Sequence, residues 1–182
     1  IDPVGGHDPY SSSKGCAELL SASYRNSYFP THKYEEHNVA LATARAGNVI
    51  GGGDWSLDRL VPDIFRAFEQ GEKVHIRNPV QTRPWQHVLE PLSGYMLLAE
   101  RLVEQGPAYA EAWNFGPDSS ATCTVRELVE RVVGYLGYGE AEYAKVSPEL
   151  HEATLLKLDC SKALDTLGWK PRWTLDQALE ET

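Results

Sequence analysis

The 182-residue sequence contains no uninterrupted apolar run near the ~18 residues that cross a bilayer, so no membrane-spanning helix is expected. Cysteine is scarce: Cys16, Cys123 and Cys160 are far apart and form no CxxC pair. That spacing excludes a metal knuckle and a disulfide framework, and an odd count fits a reducing cytoplasm. The six histidines include no HxH and no HExxH, so no metal site is expected. Basic charge is also short, with 17 Lys and Arg against 26 Asp and Glu and a net charge of -9. Such a chain is ill suited to nucleic acid, whose binding depends on neutralising phosphates. No GxGxxG precedes an early helix, and Gly51-Gly52-Gly53 lacks the Lys-Ser/Thr of a phosphate loop. The first residue is Ile, and Ile1-Asp2-Pro3 does not open a signal peptide. The expectation is a chain that begins inside a longer protein.

What is present is an ordinary globular composition, 42% hydrophobic and 24% charged. Asp8-Pro9 reads as a capped helix start, and that helix is expected to run to about Phe29, before Pro30. Residues 39–44 form an apolar run that predicts a buried parallel strand, ending in a loop over 45–54. Pro62 opens a helix that Gly71 closes. Short strands are expected at 74–76, 86–88, 112–115 and 155–158, an amphipathic helix at 92–103, and a short helix at 161–167 closed by Gly168. Thr124 with Glu127, and Thr174 with Gln177, predict two capping boxes. Alternating strands and helices make the class α/β.

Tyr10 is the one tyrosine with a Lys four residues on. Positions i and i+4 share a helix face, and an ammonium beside a phenol favours the phenolate, a general base for a hydroxyl/carbonyl pair. The same spacing arises by chance roughly one time in three for nine tyrosines and seven lysines. Asn48 follows the 39–44 run, where α/β sheets hold ligands, or it satisfies its own loop backbone. The stretch from Arg45 to Arg83 carries a net +1. Its arginines, Arg59, Arg77 and Arg83 among them, suit a diphosphate or make ordinary surface ion pairs. His87 reads as a packed histidine, and Trp113, Trp169 and Trp173 as core or hinge packing.

Tyr10-x-x-x-Lys14, Arg45-Ala46-Gly47-Asn48-Val49-Ile50-Gly51 and Arg83-Pro84-Trp85-Gln86-His87-Val88 resemble the extended short-chain dehydrogenase/reductases that act on nucleotide sugars. The longer strings Gly5-Gly6-His7-Asp8-Pro9-Tyr10, Gly51-Gly52-Gly53-Asp54-Trp55, Asp58-Arg59-Leu60-Val61-Pro62 and Leu167-Gly168-Trp169-Lys170-Pro171 are similar to the 4,6-dehydratase branch, and the resemblance covers nearly the whole chain. It implies the C-terminal part of that fold. Residues 1–50 would close a parallel Rossmann sheet and 51–182 would form a smaller α/β domain for the nucleotide sugar. The cofactor implied is NAD. Tyr10 would take a proton from the sugar 4-hydroxyl, and Lys14 would hold the nicotinamide ribose. Gly47 would lie near the nicotinamide, Asn48 and Arg83 at the diphosphate, and Arg59, Leu60 and Arg77 along the nucleotide. His151 and Glu152 would be late substrate contacts. The acid–base groups for water elimination would lie upstream of Ile1. The resemblance also implies a homodimer, and a first helix with an exposed apolar face unless another polypeptide covers it. A nucleotide-sugar epimerase or reductase of the same fold, and a non-catalytic nucleotide-sugar-binding module, are the alternative functions.

Overall fold

Asp8 starts the first helix as expected: its carboxylate accepts the Ser11 backbone N–H at 2.9 Å, and Pro9 occupies the first turn of α1 (Pro9–Ser27). Those bonds, first the Ser11 hydroxyl and then its N–H, hold the Asp8 carboxyl below its usual range. The computed structural model describes residues 8–118, 121–145 and 158–182. Along it follow α2 (Tyr34–His37), β1 (Thr43–Ala46), β2 (Asn48–Ile50), α3 (Leu60–Glu69), β3 (Val74–Ile76), β4 (Thr82–His87), α4 (Leu89–Gln105), β5 (Ala112–Phe115), β6 (Thr122–Thr124), α5 (Val125–Leu136), β7 (Ala141–Tyr143) and α6 (Leu175–Glu180). Two compact units divide the chain. No described helix is long and apolar enough to cross a membrane.

The first unit comprises Ile1–Arg45, Ser93–Asn114 and Cys160–Trp169. Its strand β1 pairs with β5. The strand expected at 39–44 begins only at Thr43, and it is half-exposed rather than buried. An apolar run becomes a buried strand only when both faces and both edges are covered, and among the described residues β5 is its one neighbour. Trp113 is 1% exposed, and Leu98, Ala163, Leu167 and Trp169 of the same unit are buried too. The Lys162 ammonium lies 4.2 Å from the Trp113 ring centre and ion-pairs with Glu111. Gly168, at φ +69°, closes the short helical turn Ala163–Leu167, as the sequence suggests. In α1 only Gly15 is buried, while Tyr10, Leu19, Leu20 and Tyr24, with Tyr28 just past its end, are exposed, so the helix does present an apolar outer face.

The second unit comprises Ala46–Leu92, Phe115–Asp159 and Lys170–Thr182. Here β4 serves two partners in succession. Thr82–Pro84 pairs antiparallel with β6, and Trp85–His87 pairs parallel with β2. Pro84, which lacks a donor, stands where the ladder passes from one neighbour to the other. The strand expected at 86–88 begins earlier, at Thr82, and ends at His87. Asn48 likewise opens β2 instead of lying in a loop, because Gly47 breaks the chain between two strands rather than ending one. A separate parallel pair, β3 with β7, carries Glu142 opposite His75. Ile64, Phe68, Leu128, Val129, Val132 and Ala178 form the core beneath these strands. Both capping boxes are present, at Thr124–Glu127 and Thr174–Gln177. Of the strand expected at 155–158, residues 155–157 lie outside the described residues, and Leu158 is irregular.

Burial gives one cysteine a measurable signature. Cys123 on β6 is 7% exposed, and its thiol is pushed up to about 11, chiefly by burial and next by the nearby Glu127. At pH 8 about one Cys123 in 1,000 is then thiolate. Alkylation by iodoacetamide at pH 8 is expected to modify exposed Cys16 while sparing Cys123 until the chain is unfolded in urea. Equal labelling of the two in the native chain, read by peptide mass, would show that β6 is not buried as described.

Candidate functional site

The residues singled out by sequence divide between the two units. Tyr10 and Lys14 belong to the first; Gly47, Asn48, Arg59, Leu60, Arg77 and Arg83 belong to the second. His151 and Glu152 lie outside the described residues.

In the first unit the four-residue spacing does what helix geometry requires. Lys14 Nζ lies 5.6 Å from the centre of the Tyr10 ring. The phenol is 68% exposed, and the backbone carbonyl of Tyr10 accepts the Ser13 hydroxyl at 2.7 Å. A hydroxyl and an ammonium one helical turn apart are the donor set that a ribose diol needs. Among the described residues no glycine fingerprint stands before a helix N-terminus to hold a dinucleotide diphosphate. The phenol and ammonium are thus chemically compatible with a ribose diol such as that of a nicotinamide nucleotide.

In the second unit, parallel pairing sets Asn48 opposite Trp85, two residues after Arg83. Gly47 faces the Pro84 carbonyl, so closely that a Cβ on it would stand 2.7 Å from that oxygen. Trp85 is 6% exposed, and its indole N–H has no partner among the described residues. Such a donor costs about 1–3 kcal/mol. Arg83 is engaged locally, donating to the Thr82 carbonyl and to Gln81 Oε1, both at 3.0 Å. Arg59 is exposed at the N-cap of α3, and Leu60 is the first residue of that helix. Helix α3 packs against β3, whose end leads directly into exposed Arg77. Asp54 in the intervening loop stays below the usual carboxylate range, held first by the Ser56 hydroxyl, then by the Ser56 N–H and the charge of Arg59. Four of these six positions, Asn48, Arg59, Arg77 and Arg83, carry side chains that can donate hydrogen bonds to an anion.

Two buried groups escaped the sequence reading. Glu90 is 5% exposed, and its two oxygens accept the backbone N–H groups of Arg172 at 3.0 Å and Trp173 at 2.9 Å. Its partners lie 82 residues away, so no local pattern reports them. Gln86 donates across to the Phe115 carbonyl at 3.0 Å. His87 is the packed histidine expected: it accepts the Leu89 N–H on Nδ1 at 3.3 Å and lies 4.7 Å from the Trp173 ring. No cluster of three metal-ligating side chains occurs among the described residues. A cavity of about 350 Å³ in the first unit, lined by Arg25, Asn26, His32 and Glu111 among others, includes none of the candidate residues.

No family model matches the chain. It is 54% identical over 178 residues to the CDP-glucose 4,6-dehydratase of Salmonella typhimurium, a match that covers 98% of this chain and 50% of that protein. Among solved structures, the dTDP-glucose 4,6-dehydratase of Bacillus anthracis in complex with NAD superposes with a TM-score of 0.74 at 22% identity, covering 99% of this chain and 52% of that one. MoeE5, in complex with UDP-glucuronic acid and NAD, superposes with a TM-score of 0.78 at 22% identity, covering 99% and 60%. The chain spans about half the length of the curated relatives it matches, and its α/β fold is that of the corresponding part of nucleotide-sugar dehydratases and epimerases.

Proposed function

We propose that this chain is the nucleotide-sugar-binding half, with the Tyr/Lys pair, of an NAD-dependent CDP-glucose 4,6-dehydratase, a hydro-lyase that forms CDP-4-keto-6-deoxyglucose. The observation that carries the reading is the 54% identity to the Salmonella enzyme along 98% of the chain. The juxtaposition of Tyr10 with Lys14 supports it. So does the pairing of β2 with β4, which sets Asn48 opposite Trp85, two residues after Arg83. The epimerase and binding-module alternatives have no comparable support.

NAD, held at its nicotinamide ribose by Tyr10 and Lys14, would supply a reversible hydride acceptor, so that the overall reaction is redox-neutral and releases one water. Tyr10 accepts the proton of the 4-hydroxyl. Lys14 donates to the nicotinamide ribose and keeps its charge beside the phenol. Asn48 donates its amide to the diphosphate, and Arg83 adds a planar fork. Arg59, Leu60 and Arg77 border the nucleotide. His151 is retained as a late substrate contact. The acid and base that remove water across C5 and C6 are not among these residues. The reading brings with it a homodimer, for which the apolar outer face of α1 is the available surface. It also brings a cytoplasmic setting in deoxysugar or O-antigen synthesis, with no nucleic-acid or membrane partner.

The test is a chimera in which this chain replaces the half of the Salmonella enzyme to which it aligns. With CDP-glucose and NAD it should develop the alkaline absorbance of a 4-keto-6-deoxy sugar, and UDP-glucose should serve it poorly. A chimera that binds CDP-glucose without turnover would favour the binding module. Within this reading, Arg83→Ala is expected to weaken CDP-glucose binding by about 1.5 kcal/mol, roughly tenfold. That is the low end for a charge-assisted bond, because binding must compete with bonds Arg83 already makes, to the Thr82 carbonyl and Gln81 among them. An unchanged dissociation constant in calorimetry would remove Arg83 from the site.

A further inference from the structure

Arg66 belongs to none of the roles above, yet it holds the approach to two of them. It stands on α3, a helix anchored by buried Val61, Pro62, Ile64 and Phe68. Its guanidinium reaches back past the start of its own helix. One nitrogen ion-pairs with Asp63; the other donates to the Trp55 carbonyl at 2.9 Å and the Ser56 carbonyl at 3.3 Å. The Arg66 side chain is 28% exposed, and the two carbonyls it reaches lie on exposed residues. The segment it grips, residues 51–59, has no helix or strand of its own. Its path is bent by two left-handed residues, Gly53 at φ +81° and Asp58 at φ +58°, with the Asp54–Ser56 turn between them. The helix that follows lacks the usual brace, since its N-cap residue, Arg59, makes no side-chain capping bond. A planar guanidinium can serve one carboxylate and two carbonyls at once, whereas a lysine ammonium has no matching fork.

We propose that Arg66 is a positioning residue for nucleotide-sugar binding: it fixes the loop ahead of α3 so that Arg59 and Leu60 meet the ligand in one preformed geometry. The proposal rests on the reading of Arg59 and Leu60 as nucleotide-sugar contacts. Preforming a loop removes the ordering cost that binding would otherwise bear. The effect belongs in affinity and in loop protection, and not in the stability of the fold.

The chimera with the Salmonella half is titrated with CDP-glucose in a calorimeter, carrying this chain as wild type, R66K, D63N or R59A. Each is also melted and exposed to chymotrypsin, with cleavage at Trp55 and Leu57 read by mass. R66K is expected to weaken CDP-glucose about tenfold and to speed cleavage at those two sites about tenfold, with the melting temperature held within about 2 °C. D63N, which keeps the two carbonyl bonds, should fall between R66K and wild type. Wild-type affinity in R66K, with R59A weakened, would overturn the positioning role and leave the nucleotide-sugar reading intact. A loss of affinity in R66K accompanied by a drop of many degrees and cleavage throughout the chain would overturn it as well, as a structural effect. Failure of the wild type to bind CDP-glucose, or wild-type affinity in R59A, would overturn the underlying reading and the positioning role together.

Discussion

Tyr10→Phe in the chimera with the Salmonella half is expected to lower turnover of CDP-glucose by about 10²–10⁴-fold, the usual worth of one general acid–base group. That corresponds to roughly 3–5 kcal/mol of transition-state stabilisation. The substitution removes one oxygen and leaves the ring. The ring is what lies 5.6 Å from the Lys14 ammonium, so that contact survives. Tyr10 is also exposed and makes no core contact that the hydroxyl supports. The melting temperature should therefore stay unchanged, and CDP-glucose affinity should remain within a few-fold of wild type, while the rate collapses. Lys14→Ala should differ: it removes the charge beside the phenol and the donor to the ribose, so NAD affinity falls together with the rate. Turnover that survives Tyr10→Phe would transfer the base role to another group. A parallel loss of melting temperature would mean that the hydroxyl is structural.

The two kinds of pattern in this sequence differ in how far they reach, and so in how much they disclose. Signals that act within one turn were legible. Asp8-Pro9, Thr124 with Glu127, Thr174 with Gln177 and Gly168 each specify a helix end through bonds to neighbours three or four residues away, and each end is where those residues place it. The i, i+4 spacing of Tyr10 and Lys14 worked for the same reason. Strand boundaries were not legible, because a strand is defined by its neighbour. Residues 39–42 are apolar, yet no partner along them makes a ladder among the described residues. Thr82-Arg83-Pro84 looks unlike a strand, yet β6 arrives from 38 residues on to pair with it. Glu90 and Arg66 were hidden more deeply. Nothing local to Glu90 anticipates Arg172 and Trp173, and Arg66 binds main-chain carbonyls, which every residue has. Only the 63/66 acid–base spacing on α3 hinted at it.

Gly47→Ala separates the two explanations of the Arg45-Ala46-Gly47-Asn48 string. The resemblance to nucleotide-sugar enzymes puts Gly47 close to the nicotinamide, where a methyl group would crowd the cofactor. The structure offers a different reason for glycine. A Cβ there would stand 2.7 Å from the Pro84 carbonyl oxygen and 3.2 Å from Pro84 Cγ. The obstacle is backbone in the sheet and cannot swing aside as a side-chain tip can, so relief requires β2 to part from β4 at the Asn48–Trp85 pair. Overpacking of this kind costs about 3 kcal/mol or somewhat more, which for a chain this size lowers the melting temperature by roughly 6–12 °C. Because the displaced strand carries Asn48 and the resisting one carries Arg83, CDP-glucose affinity should fall with it. Gly134→Ala is the matched control. It lies within α5 with open space where its Cβ would be, so it should gain about 0.5–1 kcal/mol from lower backbone entropy in the unfolded chain. If Gly47→Ala instead keeps its melting temperature and its CDP-glucose affinity, and the chimera loses only NAD, the glycine is there for the cofactor and the close approach to Pro84 is incidental.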